Sequence, residues 1–341
     1  MTGNHVKSLG FARATVWLCV CLGTLLPAPF ASEMICFYCG EALGCQYITF
    51  ENRVYHRECY YDHVLPQCAY CGSPVGENWV VYEGRNYHPE CFDRNVAIRC
   101  NRCGEIIEGQ YLIDHWGNRY HKYHEEEEHG CTFCGRFLSD PLAGGGHPFG
   151  PAQYICSRCE KSAVTDEDEG RHELDRIGKL LAEHGIVVDM DEVEFKLVTR
   201  AQFAKLLGRP VTHQLGLTRQ DKSNFWGFFE DRELTVYILT GLPRMHFIST
   251  AAHELMHAWL FVNAPEEHDD TFVEGSCNYA SSLVLDRLND DMAGYVMRQM
   301  EEEHDPVYGD GYRRVKHLIE NRGVEYWLDH LRFDPRFPIG Y

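Results

Sequence analysis

The stretch Ser249–Val262, STAAHELMHAWLFV, decides how the C-terminal half of the chain is read. Ile248, Ala252, Leu255, Trp259 and Val262 recur at i, i+3 and i+4 spacing, which predicts a helix with one apolar stripe facing a core. His253 and His257 then lie one turn apart on an adjacent face, where both imidazoles reach one ion. Glu254 completes the order H-E-x-x-H. In a chain with 19 histidines and plentiful Glu such a match arises by chance about one time in ten, so support must come from elsewhere.

The first support follows in sequence. Seventeen residues past His257, Glu274 stands near the start of a second helical segment, DTFVEGSCNYASSLVLDRL. Two His from one helix and a Glu from the next leave one tetrahedral position of a zinc ion open to water, the donor set of a catalytic site. Asn278, one turn beyond Glu274, is placed to accept a hydrogen bond from a ligand imidazole and fix its tautomer.

After Pro243 helices are expected over 246–262, 270–288, 291–303, 311–321 and 324–331. Ahead of it EFKLVT, NFWGFF and LTVYILTG read as strands, with a turn around Asp231 and a short helix around RAQFAKLLG. TDEDEGRHELDRIGKLLAEHG reads as a helix capped by Thr165, with Leu174, Ile177 and Leu181 on one stripe and Gly185 at its end. A small antiparallel sheet followed by helices makes an α+β domain on the plan of the zincin-like metallopeptidases. Substrate is expected to lie extended along the edge of VYILTG as an added strand.

Cysteine carries the message of the N-terminal half. Twelve of the sixteen cysteines fall in C-x-x-C or H-x-x-C pairs that repeat along the chain. Cys36 and Cys39 are answered by His56 and Cys59, Cys68 and Cys71 by His88 and Cys91. Cys100 and Cys103 are answered by His121 and His124, Cys131 and Cys134 by Cys156 and Cys159. The first cysteines of successive units lie 32, 32 and 31 residues apart. Such spacing suits four tetrahedral zinc modules, because two thiolates on one tight turn face one ion. Gly40, Gly72, Gly104 and Gly135 follow the second Cys, where the turn is expected to need a positive φ. A disulfide framework would not explain histidine at the third position of three units. Cys45 and Cys277 fall outside the pattern and read as small buried hydrophobes.

The units are LIM-like. Gaps of eight, eight and six residues separate consecutive zinc sites, where LIM domains leave two. Such modules bind protein partners or brace a neighbouring domain. A net charge of −19 is the opposite of a phosphate-binding footprint, so no nucleic-acid partner is expected. Lys7 and Arg13 precede the apolar run ATVWLCVCLGTLLPAPFA, which reads as a signal peptide and is too short for a stable membrane span. The expected organisation is a leader over 1–31, modules one and two over 32–94, modules three and four over 95–162, and a metallopeptidase domain over 163–341. Export to a secreted or periplasmic location follows if the leader is genuine; a cytoplasmic location follows if not.

ILTGLPRMHFISTAAHELMHAWL, FVEGSCNYASSLVL and DPVYGDGYRRVKHLIENRG resemble the latent LIM-containing metallopeptidases that restrict organ growth in plants, and their bacterial relatives. The similarity covers the peptidase half and, more loosely, the zinc units ahead of it. The resemblance implies a gluzincin-type peptidase that cuts proteins, with His253, His257 and Glu274 on zinc and Glu254 as catalytic acid/base. Plant members carry ubiquitin-interacting helices ahead of the LIM region and are activated by ubiquitin. The signal-like leader stands in their place here, so that activation is not carried over.

The expected cofactors are thus one catalytic and four structural zinc ions, and the expected partner is a protein or peptide substrate. Glu254 would take a proton from water and return it to the leaving amine, while Tyr308, Tyr312 or His317 steadies the oxyanion. The alternative is a LIM-like protein-binding scaffold whose C-terminal domain is structural and inactive.

Overall fold

A computed structural model of the 341-residue chain describes residues 9–13, 15–18, 34–44, 46–76, 78–124, 129–225 and 229–341. The chain forms two compact units, Met1–Glu127 and Glu128–Tyr341. The fourth cysteine module therefore folds with the C-terminal elements, whereas its spacing in sequence groups it with the other three.

In the first unit a hairpin recurs. Gln46–Phe50 pairs with Arg53–Tyr55, Asn78–Tyr82 with Arg85–Tyr87, and Tyr111–Ile113 with Arg119–His121. Each hairpin delivers a histidine (His56, His88, His121) to the C-x-x-C turn before it. In those turns the N–H groups of Gly40, Gly72 and Gly104 donate to the carbonyls of Cys36, Cys68 and Cys100, and the glycines take φ of 74–78°, as expected. The first two modules share a core: Phe50 lies 5.6 Å from Tyr60 and 5.8 Å from Trp79. Leu65 packs against both clusters. The stretch read as a leader contributes two antiparallel strands, Leu9–Arg13 beside Asn78–Tyr82 and Thr15–Leu18 beside Gln46–Phe50. Cys45 and the acidic run at 125–128 lie outside the described residues.

The second unit opens with a fourth hairpin, β1 (Gly146–Gly150) and β2 (Gln153–Cys156). Strand β3 (Ala163–Val164) leads into α1 (Glu167–Ala182), followed by β4 (Val193–Val198), α2 (Arg200–Leu207), β5 (Gly216–Phe225), β6 (Phe229–Leu239) and β7 (Leu242–Pro243). Helices α3 (Arg244–Asn263), α4 (Asp270–Asp286), α5 (Asp291–Glu302), α6 (Gly309–Arg322) and α7 (Val324–Phe333) complete it. The result is the expected α+β mixture of small sheets and helices.

Helix α1 buries Leu174, Ile177 and Leu181 as its stripe predicts. Its cap is Asp166 and not Thr165: the carboxylate accepts from the Glu169 N–H at 2.9 Å and adds charge at the positive end of the helix. Asp269 and Asp290 cap α4 and α5 in the same way, each contributing about 1 kcal/mol.

The sheet order is β4-β6-β5, with β4 parallel and β5 antiparallel to β6. It is mixed, not purely antiparallel, because the long return through α2 lets β4 and β6 run the same way. VYIL of this stretch ends β6, the central strand, which has no free edge, and Thr240 and Gly241 form the turn after it. The edge beside α3 belongs to β5, whose polar sequence GLTRQDKSNF carries no strand signal of its own. NFWGFF is not one strand: it ends β5 and begins β6, residues 226–228 lie outside the described residues, and Asp231 lies inside β6.

Helix α3 packs between this sheet and α4. Ile248, Ala252, Leu255 and Trp259 are buried, each large apolar side chain contributing roughly 2–3 kcal/mol, while Val262, in the last turn, is exposed. The Ser281 hydroxyl donates to the Ser249 carbonyl at 2.7 Å and pins α4 to α3. Among the described residues no helix is long and apolar enough to cross a membrane.

Candidate active site

The HELMH segment forms the middle of α3, and Glu274 sits in the second turn of α4, packed against it. His253 Nε2 and His257 Nε2 lie 3.2 Å apart. One carboxylate oxygen of Glu274, Oε2, is 3.1 Å from the first and 3.6 Å from the second. That oxygen is buried and accepts no hydrogen bond. Three donors converging on one point, one of them an orphaned carboxylate oxygen, are what a divalent ion would satisfy.

Electrostatics agree. Burial opposes ionisation of Glu274, but the imidazoles of His253 and His257 outweigh it and hold its carboxyl well below the usual carboxylate range. Burial likewise disfavours a charged His253, yet the Glu274 and Glu254 carboxylates overcome this and raise its pKa. His253 Nδ1 lies 3.0 Å from Asn278 Oδ1, and Asn278 Nδ2 donates to the Tyr308 carbonyl at 3.2 Å. Asn278 therefore orients the first imidazole with its Nε2 toward Glu274, as its spacing suggests.

Glu254 is buried, and its carboxylate accepts a hydrogen bond from the Thr218 hydroxyl of β5 at 2.7 Å. The same hydroxyl lies 2.8 Å from the Glu254 carbonyl. Beside it, Gly216 leaves room for the carboxylate: a Cβ there would meet Glu254 Oε1 at 2.6 Å. Neither Gly216 nor Thr218 is marked by the sequence pattern. Both enter the site only through the long-range pairing of β5 with β6.

These groups line an open cavity of about 1190 Å³, walled by β5, α3, the start of α4 and the segment before α6. Tyr308 lines it; burial, with Glu274 nearby, pushes its phenol up to about 12, so it remains a hydrogen-bond donor at neutral pH. Tyr312 and His317 are not brought to the cavity. Tyr312 is buried with its ring 6.4 Å from Tyr279, and His317 faces Tyr341 from farther along α6. His317, nine positions past Tyr308, turns to the opposite side of α6. Tyr312, one turn past Tyr308, keeps the same side but is taken up by packing against Tyr279.

Cys277 adds a donor that sequence reading set aside as a buried hydrophobe. It is fully buried, but its sulfur lies within 4.8 Å of ligand nitrogens of His253 and His257. Burial, reinforced by Glu274 and Glu254, raises its thiol well above the ordinary value.

The four cysteine modules form compact donor sets. Donor atoms of Cys36, Cys39, His56 and Cys59 lie within 4.8 Å of one another, as do those of Cys68, Cys71, His88 and Cys91, of Cys100, Cys103, His121 and His124, and of Cys131, Cys134, Cys156 and Cys159. His56, His88 and His121 direct Nδ1 at a thiol and Nε2 at the carbonyls of Ala42, Pro74 and Ile106. That arrangement fixes the tautomer a zinc ligand needs. In the fourth module the Cys156 and Cys159 N–H groups donate to the sulfurs of Cys131 and Cys156, both at 3.4 Å, which favours thiolates.

Residues 227–288 and 278–334 match the family described as DA1-like, Protein DA1. Protein DA1-related 1 of Arabidopsis thaliana is 28% identical over 134 residues, 30% of this chain and 24% of the relative. Protein DA1 of the same plant is 27% identical over 132 residues, 30% of this chain and 25% of the relative. LIM domain-containing protein HDR3 of Oryza sativa subsp. japonica is 22% identical over 291 residues, 66% of this chain and 57% of the relative. The chain thus spans about a quarter of the two Arabidopsis proteins and just over half of the rice protein. These matches show a chain related to the LIM-containing DA1 proteins, with zinc-type Cys/His clusters ahead of the matched region.

Proposed function

We propose, from its kinship with the LIM-containing DA1 proteins, that this chain is a gluzincin-type zinc endopeptidase with LIM-like modules for protein interaction or restraint. The observation that carries the reading is the buried, unbonded Glu274 oxygen between the Nε2 atoms of His253 and His257, beside a cavity that holds Glu254. His253, His257 and Glu274 would hold the zinc, which supplies Lewis acidity toward water and a peptide carbonyl.

The chain's own groups do the rest. Glu254, held by Thr218, takes the proton of the attacking water and delivers it to the leaving amine. Asn278 keeps His253 in one tautomer. Tyr308, a phenol that stays protonated, is the donor placed to steady a developing oxyanion. An extended peptide would pair with the outer edge of β5, which passes over Glu254 at Gly216 and Thr218.

A second reading has one observation in its favour. If Cys277 closed the coordination shell, the site would be structural and the chain a LIM-like binding scaffold. Glu274 is the better-placed ligand, because its Oε2 lies 3.1 Å and 3.6 Å from the two imidazole nitrogens and accepts no hydrogen bond.

Metal analysis tests the proposal. Five zinc ions per chain are expected in the wild type and four in His253→Ala; four in both would remove the proposed centre and leave the array.

A further inference from the structure

We propose that the Cys131/Cys134/Cys156/Cys159 cluster is a positioning metal centre for α3, distinct in role from the three modules of the first unit. The inference takes from the proposed function only that α3 carries the reactive groups. The four cysteines are at most 2% exposed, whereas Cys39, Cys71 and Cys103 of the other modules are exposed. Two half-sites make this cluster, and each is docked on the elements that set α3.

The Cys156/Cys159 half controls the entry to the helix. Three residues past Cys159, the Ser162 carbonyl accepts the N–H of Arg244, the first residue of α3, at 2.8 Å. Ser162 is tied back to the cluster by its hydroxyl, which donates to the Cys159 carbonyl at 3.0 Å. Ala163 and Val164 then pair with Pro243 and Leu242, and the Gly241 N–H donates to the Val164 carbonyl at 2.9 Å. The cap position of α3 is Pro243, which offers no side-chain acceptor, so this backbone contact takes the place of a cap.

The Cys131/Cys134 half bears on the helix from its flank. Phe133, between the two ligands, packs edge-on against His246 at 5.0 Å and against Phe149 at 4.9 Å. His246 is seven residues before His253, two turns away on the same face. Gly135 lies against the Tyr295 hydroxyl of α5 so closely that a Cβ would stand 2.5 Å from it. The half-sites are short turns separated by 21 residues in sequence and meet through all four sulfurs. A tetrahedral ion is the link that keeps Phe133 and Ser162 fixed together, and with them the first turns of α3.

Hydrogen exchange and zinc counting on the full chain test this. Cys159→Ser should lose zinc and raise amide exchange across 244–252 at least about tenfold, while Cys159→His, which restores a ligand, returns both toward wild type. Cys39→Ser should lose one zinc and leave exchange over 244–252 unchanged. Because Cys159→Ser could unfold the whole unit, staged chelation of the wild type is the second measurement. The zinc ions of the first unit, and any in the open cavity, should leave first with 244–252 still protected, and deprotection should coincide with loss from the buried cluster. Unchanged protection after that cluster is emptied, or equal deprotection in Cys39→Ser, would overturn the proposal. Glu254→Gln should keep wild-type exchange whether or not the chain cleaves protein, so failure of the peptidase reading would show separately.

Discussion

Gly216 has no side chain where the Glu254 carboxylate needs the space, and Thr218 supplies the hydroxyl that holds that carboxylate. Gly216→Ala should therefore displace Glu254 and lower the cleavage rate about 100-fold with zinc content unchanged, as a misplacement near 1 Å does. Steady-state kinetics alongside metal analysis checks this; loss of zinc in step with activity would point to damage elsewhere. Glu274 and Cys277 are separable in the same way. Glu274→Ala should release the zinc proposed between His253 and His257, and Cys277→Ala should retain it, as counted by mass spectrometry of the intact protein under native conditions. The convergence of His253, His257 and Glu274 was legible in the sequence because H-E-x-x-H and a following helix are local patterns. Thr218, Gly216 and the sulfur of Cys277 were not, because their relation to the site arises only when β5 and α4 fold against α3.

Helices were legible almost to the residue, since their apolar periodicity is strong and their ends carry Asp caps or glycines. The sheet was harder: β5 is polar along its length, and parallel pairing of β4 with β6 leaves no trace in a single strand. Packing between elements makes its own demand at the crossing of α4 and α6. A Cβ on Gly275 would stand 2.3 Å from the Gly311 carbonyl carbon, and one on Gly311 would stand 2.4 Å from the Thr271 carbonyl oxygen. Gly275→Ala should destabilise the second unit by about 2–3 kcal/mol in denaturant unfolding, the upper range for overpacking, because backbone and not side chain must yield. His246, under the Phe133 ring, gives α3 a pH dependence. Burial pushes its pKa from 6.5 down to about 4, so the unfolded chain takes up a proton first as pH falls. Its contribution is full above pH 6.5 and is lost toward pH 4. Between pH 7.5 and 5.5 the wild type should lose about 1 kcal/mol through this group that His246→Phe does not lose. Parallel stability curves for the two proteins would contradict the assignment.

At the scale of the molecule the four Cys/His donor clusters were legible and their grouping was not. A regular repeat of 31 or 32 residues presents the four modules as equals, but only contacts reveal that the fourth is built into the second unit. Its sequence carries a hint, four cysteines without a histidine and a longer insert of 21 residues, whose use becomes clear once Phe133 and Ser162 are seen against α3. The proposed role of Glu254 as proton carrier of a zinc peptidase is tested most directly by cleavage of an unfolded protein by the wild type and by Glu254→Gln, each loaded with five zinc ions per chain. Cleavage by the wild type, slowed about 100- to 10,000-fold in Glu254→Gln, is the predicted result. Equal rates in the two proteins, or no cleavage by either, would contradict it.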